Sequence, residues 1–488
     1  MMINFQQLIG FMPFVIALLT VLVLLCFISL KRNHFIIYSI SIIGLLFSIL
    51  SLYFVYDVVP IDISMLFYIN QGSIFYIGII LFSTLASVIL AYPYLSNKML
   101  NKEEFYLFLF FSTLGCMSIV ISNHMSSLFV SIELMSLPML GLIGYEYCQR
   151  KTLEAVLKYM ILSGIASSFL LFGIALIYAV SGNLSFISLV SIINVHNLLQ
   201  DNDIVFLLGF FLILVALSFK LSIIPFHLWA PDVYEGTSYT SLFFLSTSSK
   251  IAIFSILSRL FMYFPKNEIK LLYLILELLA FFSIFFGNIM ALFQKKLKRL
   301  LAYSSISHFG YMLIALVLIN NEHISLEATA IIFISYILTN FTILGLVNRI
   351  SIQYNLYDTD ILNFYRGLFW KSPIIAVLLT IMMFSLAGLP MSIGFIGKFY
   401  LILLTINEKS LLLGLIMVVG SAVGFYYYLQ IIINFYLTPL KYTEYSVQNV
   451  TQYNFYSVLI FISSLMVVLF GIFPEFLIDL LKIIQQYI

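Results

Sequence analysis

Four ionisable residues lie near the middle of long apolar segments of this 488-residue chain. They are Glu133 in SIELMSLP, Lys220 in LSFKLSIIP, Lys250 in TSSKIAIF and Lys398 in GFIGKFY. A charged side chain at the centre of a membrane costs about 2.5–3.5 kcal/mol on insertion scales. Such residues must therefore face the bundle interior, water or one another, and a single carboxylate cannot pair with three lysines at once.

The chemistry that this set favours is proton transfer. Burial disfavours the charged form of a lysine and a nearby carboxylate favours it, so such lysines can exchange protons near neutral pH. Lys158, about two turns inside its segment, and His308, in the hydroxyl-rich YSSISHFGY, are secondary members of the predicted relay, and His227 in IPFHLW adds to it. The alternatives are structural ion pairs, packed histidines, or lysines whose ammonium groups extend to the membrane surface.

Prolines and glycines interrupt two of the segments that carry these lysines. Pro225 follows Lys220 by five residues, removes a backbone hydrogen bond and clashes one turn back. Gly388 and Pro390 precede Lys398 in an apolar run, 371–404, that is too long for one straight crossing. The freed carbonyls are tolerated only where they face protein or water, so each break predicts a polar cavity at mid-membrane.

Composition indicates that these segments belong to an integral membrane protein. The chain is 62% hydrophobic and 9% charged, with a mean hydropathy of +1.11, whereas soluble domains are roughly 25% charged. A net charge of +2 is too small to indicate nucleic-acid binding. No nucleotide, metal or redox-centre motif is present, so the chain is expected to hold no cofactor and no metal. The three cysteines, Cys26, Cys116 and Cys148, are expected to pack in apolar segments.

Fourteen apolar segments are long enough to cross roughly 30 Å of hydrocarbon. The first has no preceding positive charge and no cleavage site, so it is expected to be an uncleaved span and not a signal peptide. The expected fold class is an all-α integral membrane protein with about 14 transmembrane helices. The segments are 8–30, 35–56, 74–94, 105–122, 125–146, 153–179, 204–230, 239–263, 271–293, 298–319, 325–350, 371–404, 411–437 and 455–481.

The two interrupted segments are the seventh and the twelfth, so they lie five spans apart. Units with an odd number of spans insert in opposite orientations, which predicts two inverted five-helix repeats with broken helices 7 and 12. The predicted parts are an N-terminal three-helix segment (1–104), a first repeat (105–263), a second repeat (264–437) and a C-terminal helix (438–488). Two unrelated proline kinks are the alternative.

Lysine and arginine are distributed unevenly between the two sides of the membrane. This bias predicts that both termini face the periplasm of a bacterial inner membrane, with a mitochondrial or plastid membrane as the alternative. The side predicted to be cytoplasmic holds Lys31, Arg32, Lys98, Lys102, Arg150, Lys151, Lys295, Lys296, Lys298, Arg299, Arg349, Arg366, Lys371 and Lys441. The other side holds Lys266, Lys270, Lys409 and Lys482.

Several motifs together resemble those of one membrane-protein family. SIELMSLPMLGLIGY, FKLSIIPFHLWAPDVYEG, SSKIAIF, KRLLAYSSISHFGY and SLAGLPMSIGFIGKFY are similar to the antiporter-like membrane subunits of respiratory complex I, the proton-pumping NADH:quinone oxidoreductase. The resemblance covers essentially the whole chain. It implies that Glu133 and Lys220 form a paired input site, and that Lys250 is the central residue. One departure is YEGTSYTSLFFLSTSSK, which lacks the family's alanine- and proline-rich stretch and leaves the geometry of that segment open.

The resemblance further implies that Lys398 ends the relay, that Lys158 matches the sixth-helix lysine, and that His308 lies on the polar axis. Lysine at 398 is typical of one of three sibling subunits; a second carries glutamate there, and the third has a long lateral helix after the fourteenth span. NADH, FMN, iron–sulfur clusters and quinone would bind partner subunits, and neighbouring antiporter-like subunits and lipid would surround this chain. An independent cation/proton antiporter and a purely structural subunit remain the alternatives.

Overall fold

The structure, a computed structural model, describes residues 5–96, 101–189, 201–263, 270–318, 322–354, 360–439 and 454–485. Three of the residues used above to predict orientation, Lys98, Lys266 and Lys441, lie outside these ranges. Both chain ends also lie outside them, so the side that the termini face stays a prediction.

Almost all of the described chain is helical. Twelve helical stretches in the described ranges are long and apolar enough to cross a membrane, and three further apolar helices are shorter. The predicted total of fourteen crossings therefore stays a prediction, as do the repeat boundaries. The helices are α1 (Phe5–Gly10), α2 (Met12–Leu30), α3 (His34–Tyr56), α4 (Gln71–Ser96), α5 (Glu104–Ile121), α6 (Met125–Ile143), α7 (Arg150–Ser181), α8 (Asp201–Leu221), α9 (Trp229–Gly236), α10 (Tyr239–Ser246), α11 (Ser248–Tyr263), α12 (Lys270–Leu292), α13 (Leu297–Val317), α14 (Glu322–Tyr354), α15 (Leu368–Lys371), α16 (Pro373–Ala387), α17 (Ile393–Asn407), α18 (Leu411–Tyr436), α19 (Asn454–Ile472) and α20 (Pro474–Gln485), with a 3₁₀ turn at Leu362–Tyr365.

The all-α fold class is confirmed, and a small β-hairpin is added to the helices of the described chain. Strands β1 (Ile61–Ile63) and β2 (Phe67–Ile69) pair antiparallel between α3 and α4, with Ile61 opposite Ile69. Each strand has only three residues, which is too short for an alternating pattern to distinguish it from a loop.

The last predicted span, 455–481, is divided in two. Helix α19 ends at Ile472 and α20 begins at Pro474. Proline has no N–H to donate and disfavours helical geometry in the residue before it, so the helix stops and a new one starts. The predicted single C-terminal helix is therefore two helices in the described residues.

Contacts gather the loops predicted to be cytoplasmic at one end of the bundle. Arg32 Nη1 donates to Asn101 Oδ1 at 3.0 Å, and the Tyr145 hydroxyl donates to the carbonyl oxygen of Asn101. The carboxyl group of Glu146, in the turn after α6, interacts electrostatically with Lys298 at the start of α13. The connections after α2, α4, α6 and α12 therefore meet at this end.

The connections after α3, α5 and α7 meet at the opposite end of the bundle. Phe67 of the hairpin pairs with Ser122, and His124 pairs with Ser185, as isolated β-bridges. Arg259, near the end of α11, donates to the carbonyl oxygen of Ser122 at 3.0 Å. Successive connections therefore lie at alternate ends of the bundle, as the predicted topology requires for these helices.

Glycines allow the helices that carry the site to pack closely. Gly115 on α5 lies directly against the backbone of Met135 on α6, where an added Cβ would collide. A Cβ at Gly173 on α7 would lie 2.7 Å from the carbonyl oxygen of Gly209 on α8, and the converse distance is 2.9 Å. Such close backbone approach is typical of membrane helix interfaces, and here it fixes α6 and α8 in the bundle.

Candidate functional site

The predicted break after Lys220 is confirmed by the structure. Helix α8 ends at Leu221, and α9 begins at Trp229. Two of the freed carbonyls accept hydrogen bonds within the protein. The Trp229 Nε1–H donates to the carbonyl oxygen of Phe219 at 2.9 Å. The backbone N–H of Ile223 donates to the carbonyl oxygen of Ser218 at 2.9 Å. Because these carbonyls are satisfied, an interrupted helix is tolerated inside the bundle.

Lys220 is buried without a hydrogen-bond partner. Its side chain lies in the last turn of α8, 7% of the residue is exposed, and Nζ makes no hydrogen bond. Glu133 on α6 acts on it electrostatically but does not hydrogen-bond to it. Glu133 Oε2 instead accepts from the Ser136 hydroxyl at 3.2 Å, and Lys220 Nζ lies 5.5 Å from the ring centroid of Tyr159. The predicted pair is therefore open in this structure.

Lys250 is fully buried and is joined to the broken helix by a serine. Its Nζ donates to Ser222 Oγ at 2.6 Å and to Ser305 Oγ at 3.1 Å. The ring centroids of Phe309 and Tyr234 lie 5.0 and 5.5 Å from the same nitrogen, a distance at which aromatic faces stabilise a cation. Ser222 is two residues after Lys220 in the break, so a hydroxyl connects the surroundings of the two lysines.

The eighth predicted span contains an interruption that the sequence did not predict. Helix α10 ends at Ser246 and α11 begins at Ser248, without a proline or glycine between them. The side-chain hydroxyls of Thr247 and Ser249 donate to backbone carbonyls of the preceding turn, at 2.6 and 2.7 Å. Hydroxyls that hydrogen-bond in this way compete with the helical ladder, and Lys250 follows this run directly.

The predicted break before Lys398 is also confirmed, and it holds the ammonium group. Helix α16 ends at Ala387, and Gly388 adopts a left-handed conformation with φ 83°. Lys398, on α17, reaches back and donates to the carbonyl oxygens of Leu386 and Ala387 at 3.0 and 2.8 Å. A helix C-terminus carries partial negative charge, which stabilises a cation there.

A small polar cavity lies between His308 and Lys398. Its volume is about 20 Å³, which is enough for one water molecule. The buried Ser385 hydroxyl is part of its lining and has no hydrogen-bond partner. The His308 ring centroid is 5.7 Å from that of Tyr336, which also lines the cavity. A water molecule here would reach from the tenth predicted span to the twelfth.

The structure places Lys158 apart from the central lysines. Its Nζ pairs with Glu154 at 2.6 Å and with Asp232 on α9 at 2.7 Å, and its side chain is 40% exposed. His227 lies in the connection between α8 and α9, with its ring 6.3 Å from that of Tyr303. The hydroxyl-rich run around His308 indicated from the sequence that Ser305 belongs to the site. No feature of the sequence indicated that Ser222, Tyr234 or Ser385 do.

Residues 122–424 match the sequence profile of a family described as the NADH:quinone oxidoreductase/Mrp antiporter membrane domain. The chain belongs to this family. It is 45% identical over 485 residues to the NADH-quinone oxidoreductase subunit N of Buchnera aphidicola from Acyrthosiphon pisum, covering 99% of both chains. It is also 45% identical to the subunit of the same name from the Schizaphis graminum strain, covering 99% of this chain and all of that one.

Two solved structures have a similar fold. A chain of respiratory complex I from Thermus thermophilus with bound aureothin has a TM-score of 0.79 and 26% identity, over 96% of this chain and 99% of that chain. The Mrp complex from Dietzia sp. DQ12-45-1b has a TM-score of 0.80 at 18% identity, over 97% and 96% of the two chains, which shows similarity of fold alone. The two Buchnera relatives are named subunit N. This is the sibling subunit that the lysine at position 398 predicts.

Proposed function

We propose that this chain is a proton-translocating membrane subunit of an NADH-quinone oxidoreductase, of the N type. The observation that carries this proposal is the polar series inside the bundle that runs from half-buried Glu133 through the buried residues Lys220, Ser222 and Lys250 to Ser305. The series continues by His308 and the small cavity to Lys398. Two buried lysines, Lys220 and Lys250, and a half-buried third, Lys398, cost too much free energy to be accounted for by packing, and the hydroxyls between them can both donate and accept protons.

Opening of the Glu133–Lys220 pair starts the transfer. When the carboxylate contacts the ammonium, its charge holds Lys220 protonated. In the open arrangement Lys220 has lost that contact and has no other hydrogen-bond acceptor, so its proton is released toward Lys250 by way of Ser222. Two adjacent buried lysines repel each other when both are charged, which favours a single proton moving along the series.

The second half of the path runs from Lys250 to Lys398. Ser305 accepts from Lys250 and lies one helical turn before His308 on α13. A water molecule in the cavity would carry the proton from His308 to Lys398. The carbonyls at the end of α16 stabilise the charged form of Lys398, and release to the far side completes the transfer. The direction of transfer, toward the periplasm of a bacterial inner membrane, is part of the proposal.

Electron transfer takes place in partner subunits in this proposal. NADH, FMN, iron–sulfur clusters and quinone bind there, and neighbouring antiporter-like membrane subunits transmit the conformational signal that opens the Glu133–Lys220 pair. This chain supplies only side chains that hold and move protons, and it contributes no redox group of its own.

The test replaces Lys250 with methionine, which keeps the length of the side chain and removes its charge. In vesicles that contain the assembled complex, Lys250→Met is expected to lower the number of protons translocated per NADH oxidised. The control is Lys295→Met, because Lys295 is exposed on a loop and its substitution is expected to leave the ratio unchanged. An unchanged ratio in Lys250→Met, with normal assembly, would contradict the relay and favour a structural subunit.

A second candidate function is an independent cation/proton antiporter. The matching family includes the Mrp antiporters by its description, so the same scaffold serves exchange. The two functions differ in partners: a native gel of mildly solubilised membranes, stained for NADH dehydrogenase activity, should show this chain in the active band. Migration away from that band, together with proton exchange for Na⁺ or K⁺ by the isolated chain, would favour the antiporter.

A further inference from the structure

A second buried charged cluster lies at the end of the bundle that is predicted to be cytoplasmic. Lys298, at the start of α13, lies 3.5 Å from Asp360, and the two residues are 7% and 4% exposed. Lys298 also donates to the carbonyl oxygen of Thr237 at 2.9 Å, and the Tyr239 hydroxyl donates to Asp360 at 2.8 Å. None of these residues belongs to the relay described above.

Glu146 brings a third charge to this cluster. It lies in the turn between α6 and α7, outside the membrane-spanning helices, and is 9% exposed. Gln149 Nε2 donates to Glu146 Oε2 at 2.7 Å. Burial raises the pKa of Glu146 to about 7, and the nearby Lys298 ammonium acts in the opposite direction. The carboxyl group therefore takes up and releases protons close to neutral pH.

The cluster lies next to groups that reach solvent. The side chains of Lys296, immediately before α13, and of Arg299, in its first turn, are 36% and 33% exposed. Both pair with Glu235 on α9, Arg299 at 3.3 Å. A partly exposed ionic surface thus adjoins the buried cluster, and water that reaches this surface lies close to the buried groups.

One face of α13 leads from the cluster to the middle of the relay. Lys298 and Ser305 are seven residues apart on one face of α13, which corresponds to about 10 Å along the helix axis. Tyr234 on α9 is buried beside Ser305: its hydroxyl accepts from Ser305 at 3.4 Å, and its ring centroid lies 5.5 Å from Lys250 Nζ. The path from the cluster to Lys250 is therefore about two helical turns long.

We propose that Glu146, Lys298 and Asp360 form the site at which protons are taken up from the aqueous phase and passed inward, toward Tyr234 and Ser305, to reload Lys220 and Lys250 after a proton has moved on to Lys398. This inference rests on the proposed function. Glu146 takes a proton from water; Lys298 gives one ammonium proton inward to the hydroxyl path and regains one from Glu146. Asp360 holds Lys298 in place, and each proton taken up is matched by one delivered.

The test uses Glu146→Gln, because this change keeps the side-chain shape and leaves the Lys298–Asp360 pair intact. In vesicles with the assembled complex, it is expected to lower the protons translocated per NADH to the value of Lys250→Met, and Glu146→Asp is expected to restore part of the loss. The ratio in the wild type is also expected to depend on pH near 7, and that dependence should be lost in Glu146→Gln. A purely structural carboxyl group would change the amount of assembled complex and leave the pH profile in place.

The control is Glu154→Gln, because Glu154 lies at the same end of the bundle with a side chain that is 60% exposed. It is expected to pump as the wild type does, and an equal loss in this variant would overturn the assignment to the buried cluster. Normal pumping by Glu146→Gln with impaired pumping by Lys250→Met would refute the uptake site and leave the proposed function standing. Normal pumping by both variants would refute the proposed function itself.

Discussion

Ser222 offers the sharpest test of the path between Lys220 and Lys250. Its hydroxyl accepts a hydrogen bond of 2.6 Å from Lys250 Nζ and donates to the carbonyl oxygen of Leu221. A hydrogen bond to a charged group contributes about 1.5–3 kcal/mol. If Ser222→Ala removes that amount from the transition state for proton transfer, the rate falls by about one to two orders of magnitude, since about 1.4 kcal/mol is tenfold.

The assay is the initial rate of NADH-driven proton uptake by vesicles that contain the assembled complex, recorded together with NADH oxidation. Ser255→Ala is the matched control, because Ser255 is buried on the same helix as Lys250 and its hydroxyl donates only to the carbonyl oxygen of Ala252. Proton uptake by Ser222→Ala at the rate of Ser255→Ala would refute the assignment of this serine to the path.

Two further predictions concern the breaks that hold the lysines. Gly388→Ala is expected to destabilise the assembled complex by more than about 1 kcal/mol, because the residue has φ 83° and its Cβ would lie 2.7 Å from Cδ of Lys398. The control is Gly182→Ala, because Gly182 has a similar φ of 65° but open space around it. An equal loss of thermal stability in both variants would rule out the Lys398 contact as the cause. Trp229→Phe is expected to cost about 0.5–1.5 kcal/mol and to lower the temperature of thermal inactivation, because it removes one of the two hydrogen bonds that the buried Phe219 carbonyl accepts, the other coming from the Ser222 N–H. Trp370→Phe, at an exposed indole with a 3.4 Å bond, should change it little, and equal effects of the two tryptophan variants would contradict this reasoning.

Much of the helical framework could be predicted from the sequence, because helix bounds follow from hydropathy and from local breakers. The predicted spans 35–56 and 411–437 correspond to α3 (His34–Tyr56) and α18 (Leu411–Tyr436). Pro225, with Gly388 and Pro390, marked both broken helices, since the effect of these residues on the backbone is local. The interruption at Thr247 was missed because it depends on hydroxyls that hydrogen-bond to backbone carbonyls, and serine and threonine also occur within regular helices.

The residues of the candidate site could likewise be predicted from the sequence, but their geometry could not. The cost of burying charge marked Glu133, Lys220, Lys250 and Lys398 from their positions in apolar segments alone. The sequence could not show that Glu133 and Lys220 would be out of hydrogen-bond contact, since a separation between helices depends on how they pack.

The sequence by itself determined that this is a membrane protein, that helices break near Pro225 and Pro390, and which charges lie at mid-span, because each of these follows from the free energy of residues within one segment. Only the tertiary structure decided which groups meet. Lys250 contacts Ser222 and Ser305, 28 and 55 residues away, and Lys158 contacts Asp232, 74 residues away. Such partners are set by the packing of whole helices, in which backbone approach at glycines such as Gly173 and Gly209 fixes the distances, and no local pattern of residue types encodes them.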